Sequence, residues 1–187
     1  SYDEVVMVEI DEKVIEASKM FLPSIAAALE HPKLNLIVDD GIKYVNAAVG
    51  GSFDIVIVDS TDPIGPAEGL FSAEFYAEVY RILTPDGIMV TQSESPRFNQ
   101  KVFKEIYEVY RSIFGKDQVH CYLAYIPTYP TGMWSFSYSS KGASHPLIGI
   151  DKERIEAFTK NNELQYYNES IHHSAFALPN FVQNMIN

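Results

Sequence analysis

The run Phe53-Asp-Ile-Val-Ile-Val-Asp-Ser-Thr-Asp-Pro-Ile-Gly-Pro66 carries the strongest structural signal in this sequence. Its first six residues, 53–58, are mostly apolar and β-branched, which is typical of a strand buried on both faces in a parallel sheet. Asp59 and Asp62 follow, in a loop stiffened by two prolines and a glycine. The run therefore predicts a buried strand whose carboxyl end presents two carboxylates.

Strands and helices alternate on both sides of this run. Asp11 and Ser72 are placed as helix N-caps, and Pro23 should kink or restart the first helix. The apolar patterns predict strands at residues 4–10, 34–38, 53–58, 87–92, 119–126 and 133–139, and helices near residues 14–25, 41–49, 72–83 and 102–114. Because no helix separates the last two strands, the pattern predicts an α/β fold with a doubly wound sheet and one antiparallel strand at its edge. No repeat, low-complexity tract or linker interrupts residues 1–187, so a single domain is predicted.

Composition excludes several classes of protein. The 187 residues include 14 Lys and Arg against 25 Asp and Glu, a formal net charge of −11, which argues against a nucleic-acid or anionic-membrane partner. No apolar run approaches the roughly 20 residues that span a bilayer, and the first residues lack the layout of a signal peptide. The single cysteine, Cys121, cannot form an internal disulfide, which fits a reducing compartment. We therefore expect a cytoplasmic protein.

Polar residues close the first two predicted strands, where doubly wound sheets bind their ligands. Glu9 ends the first strand and is suited to accept hydrogen bonds from ribose hydroxyls, unless it is only a solvated residue beside the helix cap Asp11. Asp40 and Gly41 follow the second strand, where a carboxylate suits an adenine amine and glycine permits close approach. A simple turn and helix cap is the alternative at this second position.

The third strand end, Asp59 to Pro66, is the sharpest candidate. Two close carboxylates repel each other unless a cation lies between them, so Asp59 and Asp62 predict a site for an amine or a metal. A purely structural turn at Asp62 is the alternative. Thr91-Gln-Ser-Glu94 adds polar groups at the next strand end.

A late loop and an aromatic residue complete the candidates. Two prolines and a glycine surround Tyr129 in residues 126–132, which predicts a rigid loop that holds the phenol over a ligand, with core packing as the alternative. Trp134, just after this loop, is expected in the core.

Five motifs, taken in order, resemble those of the spermidine synthases. They are Val8-Glu-Ile-Asp11, Asp40-Gly41, Asp59-Ser-Thr-Asp-Pro-Ile-Gly-Pro-Ala-Glu68, Ile126-Pro-Thr-Tyr-Pro-Thr-Gly132 and Ala175-Phe-Ala-Leu-Pro179. The paired-Asp loop followed by the Pro-Thr-Tyr-Pro loop is specific to aminopropyltransferases, and the resemblance covers essentially the whole chain.

The resemblance implies a Rossmann-like fold of the S-adenosylmethionine-methyltransferase type and an aminopropyltransferase activity. The aminopropyl group of decarboxylated S-adenosylmethionine would pass to putrescine, giving spermidine and 5′-methylthioadenosine. The residues implied to bind the nucleotide substrate are Glu9, Ile10, Asp40, Gly41 and Pro66. Those implied to bind the polyamine are Asp59, Ser60, Thr61, Asp62, Gln92 and Tyr129, with Asp59 as the proton acceptor and Tyr129 assisting it.

The resemblance also sets expectations about cofactors and assembly. No metal or other cofactor is expected, because a sulfonium is already a good leaving group. A homodimer or homotetramer is implied. These motifs do not distinguish putrescine from cadaverine or agmatine as the acceptor.

One departure from the family concerns the front of the chain. The family's amino-terminal β-rich segment and the strand carrying its glycine-rich loop are absent, and the sequence contains no Gly-x-Gly-x-x-Gly. We therefore expect a catalytic domain that is incomplete at its N-terminal side, with apolar strands left exposed. The isolated chain is expected to be inactive or poorly folded unless it is complemented.

Three alternatives remain open. An S-adenosylmethionine-dependent methyltransferase would share the sheet and its acidic strand ends, although the second carboxylate of the pair suits a polyamine better. A non-catalytic truncated subunit would copurify with a longer chain. A nicotinamide dehydrogenase would use Glu9 but needs a phosphate-binding loop that this sequence lacks.

Overall fold

A computed structural model of the chain describes residues 3–59 and 69–187, and it divides the chain into two compact units, Ser1–Ala48 and Val49–Asn187. The first unit contains β1 (Val5–Glu9), α1 (Glu12–Phe21), α2 (Pro23–Ala26), a 3-10 helix (Ala27–Glu30), β2 (Leu34–Val38) and α3 (Gly41–Ala47). The second contains β3 (Phe53–Val58), α4 (Ala73–Ile82), β4 (Leu83–Gln92), α5 (Gln100–Phe114), a 3-10 helix (Lys116–Gln118), β5 (Val119–Tyr125), β6 (Met133–Ser140), α6 (Lys152–Asn161), α7 (Glu169–Ala175) and α8 (Asn180–Ile186).

The first unit is built on a parallel pair of strands. Strands β1 and β2 run in register from Val5 opposite Leu34 to Glu9 opposite Val38. Asp11 caps α1 as predicted, since its side chain accepts a hydrogen bond of 2.8 Å from the backbone N–H of Lys13. The expected restart at Pro23 also occurs, because proline lacks an N–H and fits the first position of a new helix.

The second unit contains a four-stranded mixed sheet in the order β3-β4-β6-β5. Strands β3 and β4 are parallel, whereas β6 is antiparallel to both of its neighbours. The expected antiparallel strand is therefore present, but it lies one position inside the edge. The reason is the tight β5–β6 hairpin, which returns the chain between β4 and β5 and leaves β5 at the edge.

Helices α4 and α5 supply much of the core of the second unit. Ser72 caps α4 as predicted, by accepting a hydrogen bond of 3.1 Å from the N–H of Phe75. The helix ends at Ile82, and Leu83 already belongs to β4. Both helices bury apolar and tyrosine side chains at helical spacing, namely Phe75, Tyr76, Val79 and Ile82 from α4 and Phe103, Ile106, Tyr107, Tyr110 and Phe114 from α5.

A chain of buried hydroxyl groups joins these helices to the sheet. The hydroxyl of Thr91 on β4 donates to the Tyr110 hydroxyl at 2.9 Å, which in turn donates to the Tyr76 hydroxyl at 3.2 Å. The Ser137 hydroxyl on β6 lies 2.7 Å from the same Thr91 oxygen. Burial raises the pKa of Tyr110 and of Tyr76, so the phenols stay neutral and act as hydrogen-bonding groups.

Apolar side chains are exposed on the outer strands of both units, so the prediction that residues 53–58 are buried on both faces is wrong for β3. Strand β3 forms an edge of its sheet, and Ile55 and Ile57 on it are 58% and 73% exposed. In the first unit, Val5 and Met7 on β1 are also exposed. Across residues 3–59 and 69–187, no helix has the length and apolar character needed to cross a membrane.

The buried hydroxyl chain can be tested by removing its central group. We expect Tyr110→Phe to lower the free energy of unfolding by about 1–2 kcal/mol, because the buried Tyr76 hydroxyl loses its donor. Urea denaturation with an unchanged slope measures this loss. Tyr80→Phe is the control, since no hydrogen bond of its hydroxyl is found within the described part of the chain, and we expect a cost of less than about 0.5 kcal/mol. Equal costs for the two variants would contradict this account.

The single cysteine should be chemically silent in the native protein. Cys121 is buried, and burial raises the pKa of its thiol to about 12. The unfolded thiol ionises near pH 8.5, so the unfolded state releases this proton between about pH 8.5 and 12 while the native state keeps it. This group's contribution to stability is therefore complete below pH 8.5 and falls as the pH rises through that window. We expect a thiol reagent at pH 8.5 to label Cys121 in denaturant but not in native buffer, and fast native labelling would disprove the burial.

Candidate functional site

The first unit places its predicted residues at the carboxyl edge of the β1–β2 pair. A side-chain oxygen of Glu9 accepts a hydrogen bond of 2.9 Å from the N–H of Asp11, and the backbone oxygen of Glu9 accepts one of 3.2 Å from the N–H of Asp39. Asp40 caps α3 by accepting a hydrogen bond of 2.8 Å from the N–H of Ile42. The side chains of Glu9 and Asp40 thus stabilise their strand-to-helix turns. For Asp40 this is the turn and helix cap that was the alternative to ligand binding.

Open space lies beside the same turns. A Cβ atom added at Gly41 would meet no atom of residues 3–59 and 69–187 within 4 Å, and the neighbouring predicted residue Ile10 is 66% exposed. Gly41 has an ordinary helical backbone, so its glycine is not required by its conformation. The turn is therefore shaped to let a ligand approach the backbone, while the assignment of these residues to the nucleotide substrate stays a prediction.

In the second unit, Asp59 and Gln92 occupy neighbouring strand ends. Strands β3 and β4 pair Val58 with Thr91, and each predicted residue follows directly after its partner in that pair. Adjacent strands lie about 4.8 Å apart, so the two side chains start from adjacent points of the same edge. Asp59 is exposed to solvent. The predicted residues Ser60, Thr61, Asp62 and Pro66 lie outside the described residues, and the paired-carboxylate site stays a prediction.

The indole ring of Trp134 contacts both Gln92 and Tyr129. The Nε1–H of Trp134 donates a hydrogen bond of 2.8 Å to Oε1 of Gln92. The Tyr129 ring meets the Trp134 ring edge-on, with centroids 4.5 Å apart, and Tyr129 is 44% exposed. Trp134 was expected in the core, yet it links two predicted site residues. Its polar N–H is the signal that could have indicated this position, because a buried indole N–H needs an acceptor.

The loop that carries Tyr129 is held by its own backbone. The N–H of Tyr129 donates to the oxygen of Ile126 at 3.0 Å, and the N–H of Ile126 donates to the oxygen of Gly132 at 2.7 Å. Gly132 adopts φ +71°, and a Cβ atom there would overlap the ring of Tyr125, which is 65% exposed and would have to turn away. Glycine is therefore favoured chiefly by the backbone conformation.

Glu94 is a candidate site residue that the sequence reasoning did not single out. It is fully buried and adopts φ +69°, a left-handed conformation that costs a non-glycine residue about 1–2 kcal/mol. Its Oε2 accepts a hydrogen bond of 2.7 Å from Asn99, whereas its buried Oε1 has no partner among the described residues. Strain combined with an unsatisfied carboxylate oxygen marks functional positions. The polar strand end 91–94 was noticed, but the strain at Glu94 is visible only in the backbone.

The chemistry of this cluster suits an amine. The exposed Asp59 supplies a carboxyl group, and the rings of Tyr129 and Trp134 supply π faces that attract ammonium groups. Among the residues that the structure describes, no group of three or more His, Cys, Asp or Glu side chains is arranged to hold a metal ion. Asp62, the second carboxylate of the predicted pair, lies outside the described residues, so the choice between an amine and a metal at this strand end stays a prediction.

An apolar cavity of about 870 Å³ lies elsewhere in the second unit, between β5 and helices α6 and α7. Its lining includes Tyr122, Phe158, Tyr166 and His172. None of the predicted site residues lines this cavity, so it is separate from the strand-end cluster.

The fold and the strand-end cluster define a nucleotide-fold α/β protein with an acidic, aromatic site, and comparison with known proteins narrows that class. The model of the spermine/spermidine synthase domain matches residues 1–152. The chain belongs to the spermine/spermidine synthase family.

Curated relatives share this domain at substantial identity. The polyamine aminopropyltransferase of Caldicellulosiruptor saccharolyticus is 44% identical over 180 residues, covering 96% of this chain and 62% of that protein. The polyamine aminopropyltransferase of Methanocaldococcus jannaschii is 42% identical over 187 residues, covering all of this chain and 62% of that protein. The chain therefore spans about 62% of the length of these curated relatives.

Solved structures confirm the fold. The spermidine synthase of Thermotoga maritima superposes with a TM-score of 0.89 at 35% identity, covering 98% of this chain and 60% of that one. A spermidine synthase in complex with the transition-state analogue AdoDATO superposes with a TM-score of 0.91 at 36% identity, covering 98% of this chain and 61% of that one. The expected Rossmann-like α/β fold of the methyltransferase type is thereby confirmed.

The loop that positions Tyr129 can be tested with a pair of glycines. Gly132 and Gly149 both have positive φ, +71° and +73°, but only at Gly132 would a Cβ atom meet another side chain. We expect Gly149→Ala to cost about 1–2 kcal/mol from backbone strain alone, and Gly132→Ala to cost about 1–3 kcal/mol because the exposed ring of Tyr125 must also turn away. Urea denaturation of both variants measures the difference. If the two substitutions cost the same, the close approach of Tyr125 does not constrain the loop.

Proposed function

We propose that this chain carries the amine-binding part of an aminopropyltransferase site and that the reaction transfers an aminopropyl group from decarboxylated S-adenosylmethionine to putrescine. The observation that carries this proposal is the strand-end cluster, in which Asp59 lies beside Gln92 and Gln92 is linked through Trp134 to Tyr129. Membership of the spermine/spermidine synthase family supports it. Relatives named polyamine aminopropyltransferases also support the proposal, because their names favour this reaction over methyl or hydride transfer.

The chemistry of the acceptor explains why carboxylates are needed. Putrescine is a dication near neutral pH, and an ammonium nitrogen has no lone pair with which to attack carbon. We assign Asp59 to orient the amine and to accept its proton, with the Tyr129 phenol beside the same nitrogen. The freed lone pair then forms the new C–N bond as the C–S bond breaks, and the sulfonium leaves as neutral 5′-methylthioadenosine. Fixed protein groups that bind the two substrates would hold the attacking nitrogen, the aminopropyl carbon and the sulfur in line.

The amine channel gains its selectivity from charge and from aromatic faces. The backbone N–H of Glu94 donates to Oε1 of Gln92 at 3.2 Å and so helps to orient the carboxamide. A second ammonium group of the substrate would find the π faces of Tyr129 and Trp134 there. The paired residue Asp62, with Ser60 and Thr61, is assigned to the same channel on the strength of its motif.

The nucleotide substrate is assigned to the first unit. Glu9 and Ile10 would hold the ribose end, and Asp40 with Gly41 would lie at the adenine, where the open space beside Gly41 suits a flat ring. Pro66 is assigned to the adenine pocket by its motif. We propose no metal or other cofactor, because the sulfonium needs no further activation.

Assembly and location are proposed on the family pattern. A homodimer or homotetramer in the cytoplasm fits the resemblance and the single buried cysteine. Since the 187 residues contain no glycine-rich Gly-x-Gly-x-x-Gly loop, we propose that efficient turnover needs this part of the site to be supplied to the chain. The non-catalytic subunit is the alternative outcome of the activity test.

Substitution of the proton acceptor tests the mechanism. The chain, alone and after complementation, is incubated with decarboxylated S-adenosylmethionine and putrescine, and mass spectrometry follows spermidine and 5′-methylthioadenosine. We expect Asp59→Asn to lower turnover by about 10²–10⁴-fold, as for loss of a general base. Asp54→Asn is the matched control on the same strand. Asp54 is exposed and accepts only a side-chain hydrogen bond of 3.2 Å from Thr84, which asparagine can also accept.

Two results would change the assignment. Wild-type turnover by Asp59→Asn would remove Asp59 from the role of proton acceptor. No product from the complemented wild type, together with no response of the emission of Trp134 to putrescine, would rule out the proposed reaction.

A further inference from the structure

A fully buried serine on β6 makes hydrogen bonds to two consecutive residues of the strand end that bears the candidate site. The Ser135 hydroxyl lies 2.6 Å from the backbone oxygen of Ser93 and 2.7 Å from that of Glu94, and it donates its single proton between them. The Ser135 backbone adds an N–H donated to the Glu94 oxygen at 3.1 Å, and its own oxygen accepts from the N–H of Ser93 at 2.9 Å. Ser135 is 0% exposed, so no water competes for these groups.

The turn at Glu94 needs such a partner. The left-handed conformation of Glu94 brings the carbonyl oxygens of Ser93 and Glu94 side by side, both within hydrogen-bond reach of one hydroxyl. Both carbonyl oxygens carry partial negative charge, so they repel each other in a buried site. A hydroxyl proton placed between them attracts both oxygens and offsets this repulsion. The strained turn therefore depends on the hydroxyl as well as on the ladder of the sheet.

The turn in turn sets the orientation of Gln92. The Glu94 N–H and the Trp134 Nε1–H both donate to Oε1 of Gln92, at 3.2 and 2.8 Å. Two donors on one atom identify it as the carbonyl oxygen and fix the rotamer of the carboxamide. A change in the path of residues 93–94 would move one of those donors.

We propose that Ser135 is a positioning residue of the amine site: its hydroxyl holds the strained turn at Glu94 and thereby orients Gln92 for polyamine binding. The identity of the ligand in this inference rests on the proposed function. The claim that Ser135 positions Gln92 and Trp134 does not depend on that function. Ser135 itself contacts the backbone of the strand end and is assigned no contact with the substrate.

The chain provides a matched control on the same strand. Ser139 lies four residues after Ser135, on the same face of β6, and is also 0% exposed. Its hydroxyl has no hydrogen-bond partner among the described residues, and it pairs with Met89 in the middle of β4. Ser139→Ala therefore removes an equally buried hydroxyl without touching the turn.

The chain also contains its own probe, because Trp134 is its only tryptophan. Its emission reports the indole environment without any need for turnover. We expect Ser135→Ala to shift the Trp134 emission of the ligand-free protein to longer wavelength and to raise its quenching by acrylamide. Ser139→Ala should leave both unchanged. Putrescine titrations read by the same emission should show a Kd raised about five- to tenfold in Ser135→Ala alone, the size expected for one hydrogen bond.

The outcomes separate the two proposals. If Ser135→Ala and Ser139→Ala show the same emission, quenching and melting temperature, the positioning role is wrong. If both variants lose thermal stability equally but only Ser135→Ala changes the emission, the role is supported, because a general packing defect would affect both. If putrescine leaves the wild-type emission unchanged, the amine-binding function fails, while the ligand-free comparison still decides whether Ser135 positions Gln92 and Trp134.

Discussion

The antiparallel pairing of β4 with β6 is the constraint on which most of the second unit depends. It sets Ile88 opposite Ser140 at one end and Gln92 opposite Phe136 at the other. This register places a row of small hydroxyl residues of β6 beneath helix α5, where the hydroxyls of Ser137 and Tyr110 both meet Thr91. Because side chains alternate between faces, a slip of one residue would turn that row to the opposite face and leave its buried partners unsatisfied. The same register brings Trp134 and Ser135 to the end of β4, where the candidate site lies.

Much of the fold and part of the site could be predicted from local signals. Alternating apolar runs gave the strands, and residues such as Asp11, Asp40 and Ser72 act as the expected helix caps, because both signals arise within a few residues of sequence. The polar strand end 91–94 and the proline-rich loop 126–132 also indicated Gln92 and Tyr129 as candidates, and the structure links them. Their roles with substrate stay predictions, as do those of the paired-Asp loop residues that lie outside the described part of the chain.

The features that the sequence did not reveal are non-local. The strain at Glu94 and the Trp134–Gln92 hydrogen bond arise from partners about 40 residues away, as the separation of 42 residues between Trp134 and Gln92 shows. Either strand of the β5–β6 hairpin could pair with β4, and the hydrophobic pattern of the sequence is the same in both cases. The structure pairs β6 with β4 and leaves β5 at the edge. Helices α6 to α8 were not predicted either, and α6 buries no residue completely, so its apolar stripe is weak.

The bare edge of β3 makes protein concentration an experimental variable. Within residues 3–59 and 69–187, β3 is the first strand of its sheet, and an edge strand with exposed isoleucines is a template for pairing with another chain. Dilute solution favours the monomer. Higher protein concentration favours edge-to-edge contacts between chains that bury Ile55 and Ile57 and add backbone hydrogen bonds to β3. Solubility and the concentration at which scattering first rises should therefore respond to the two isoleucines of this strand, Ile55 and Ile57.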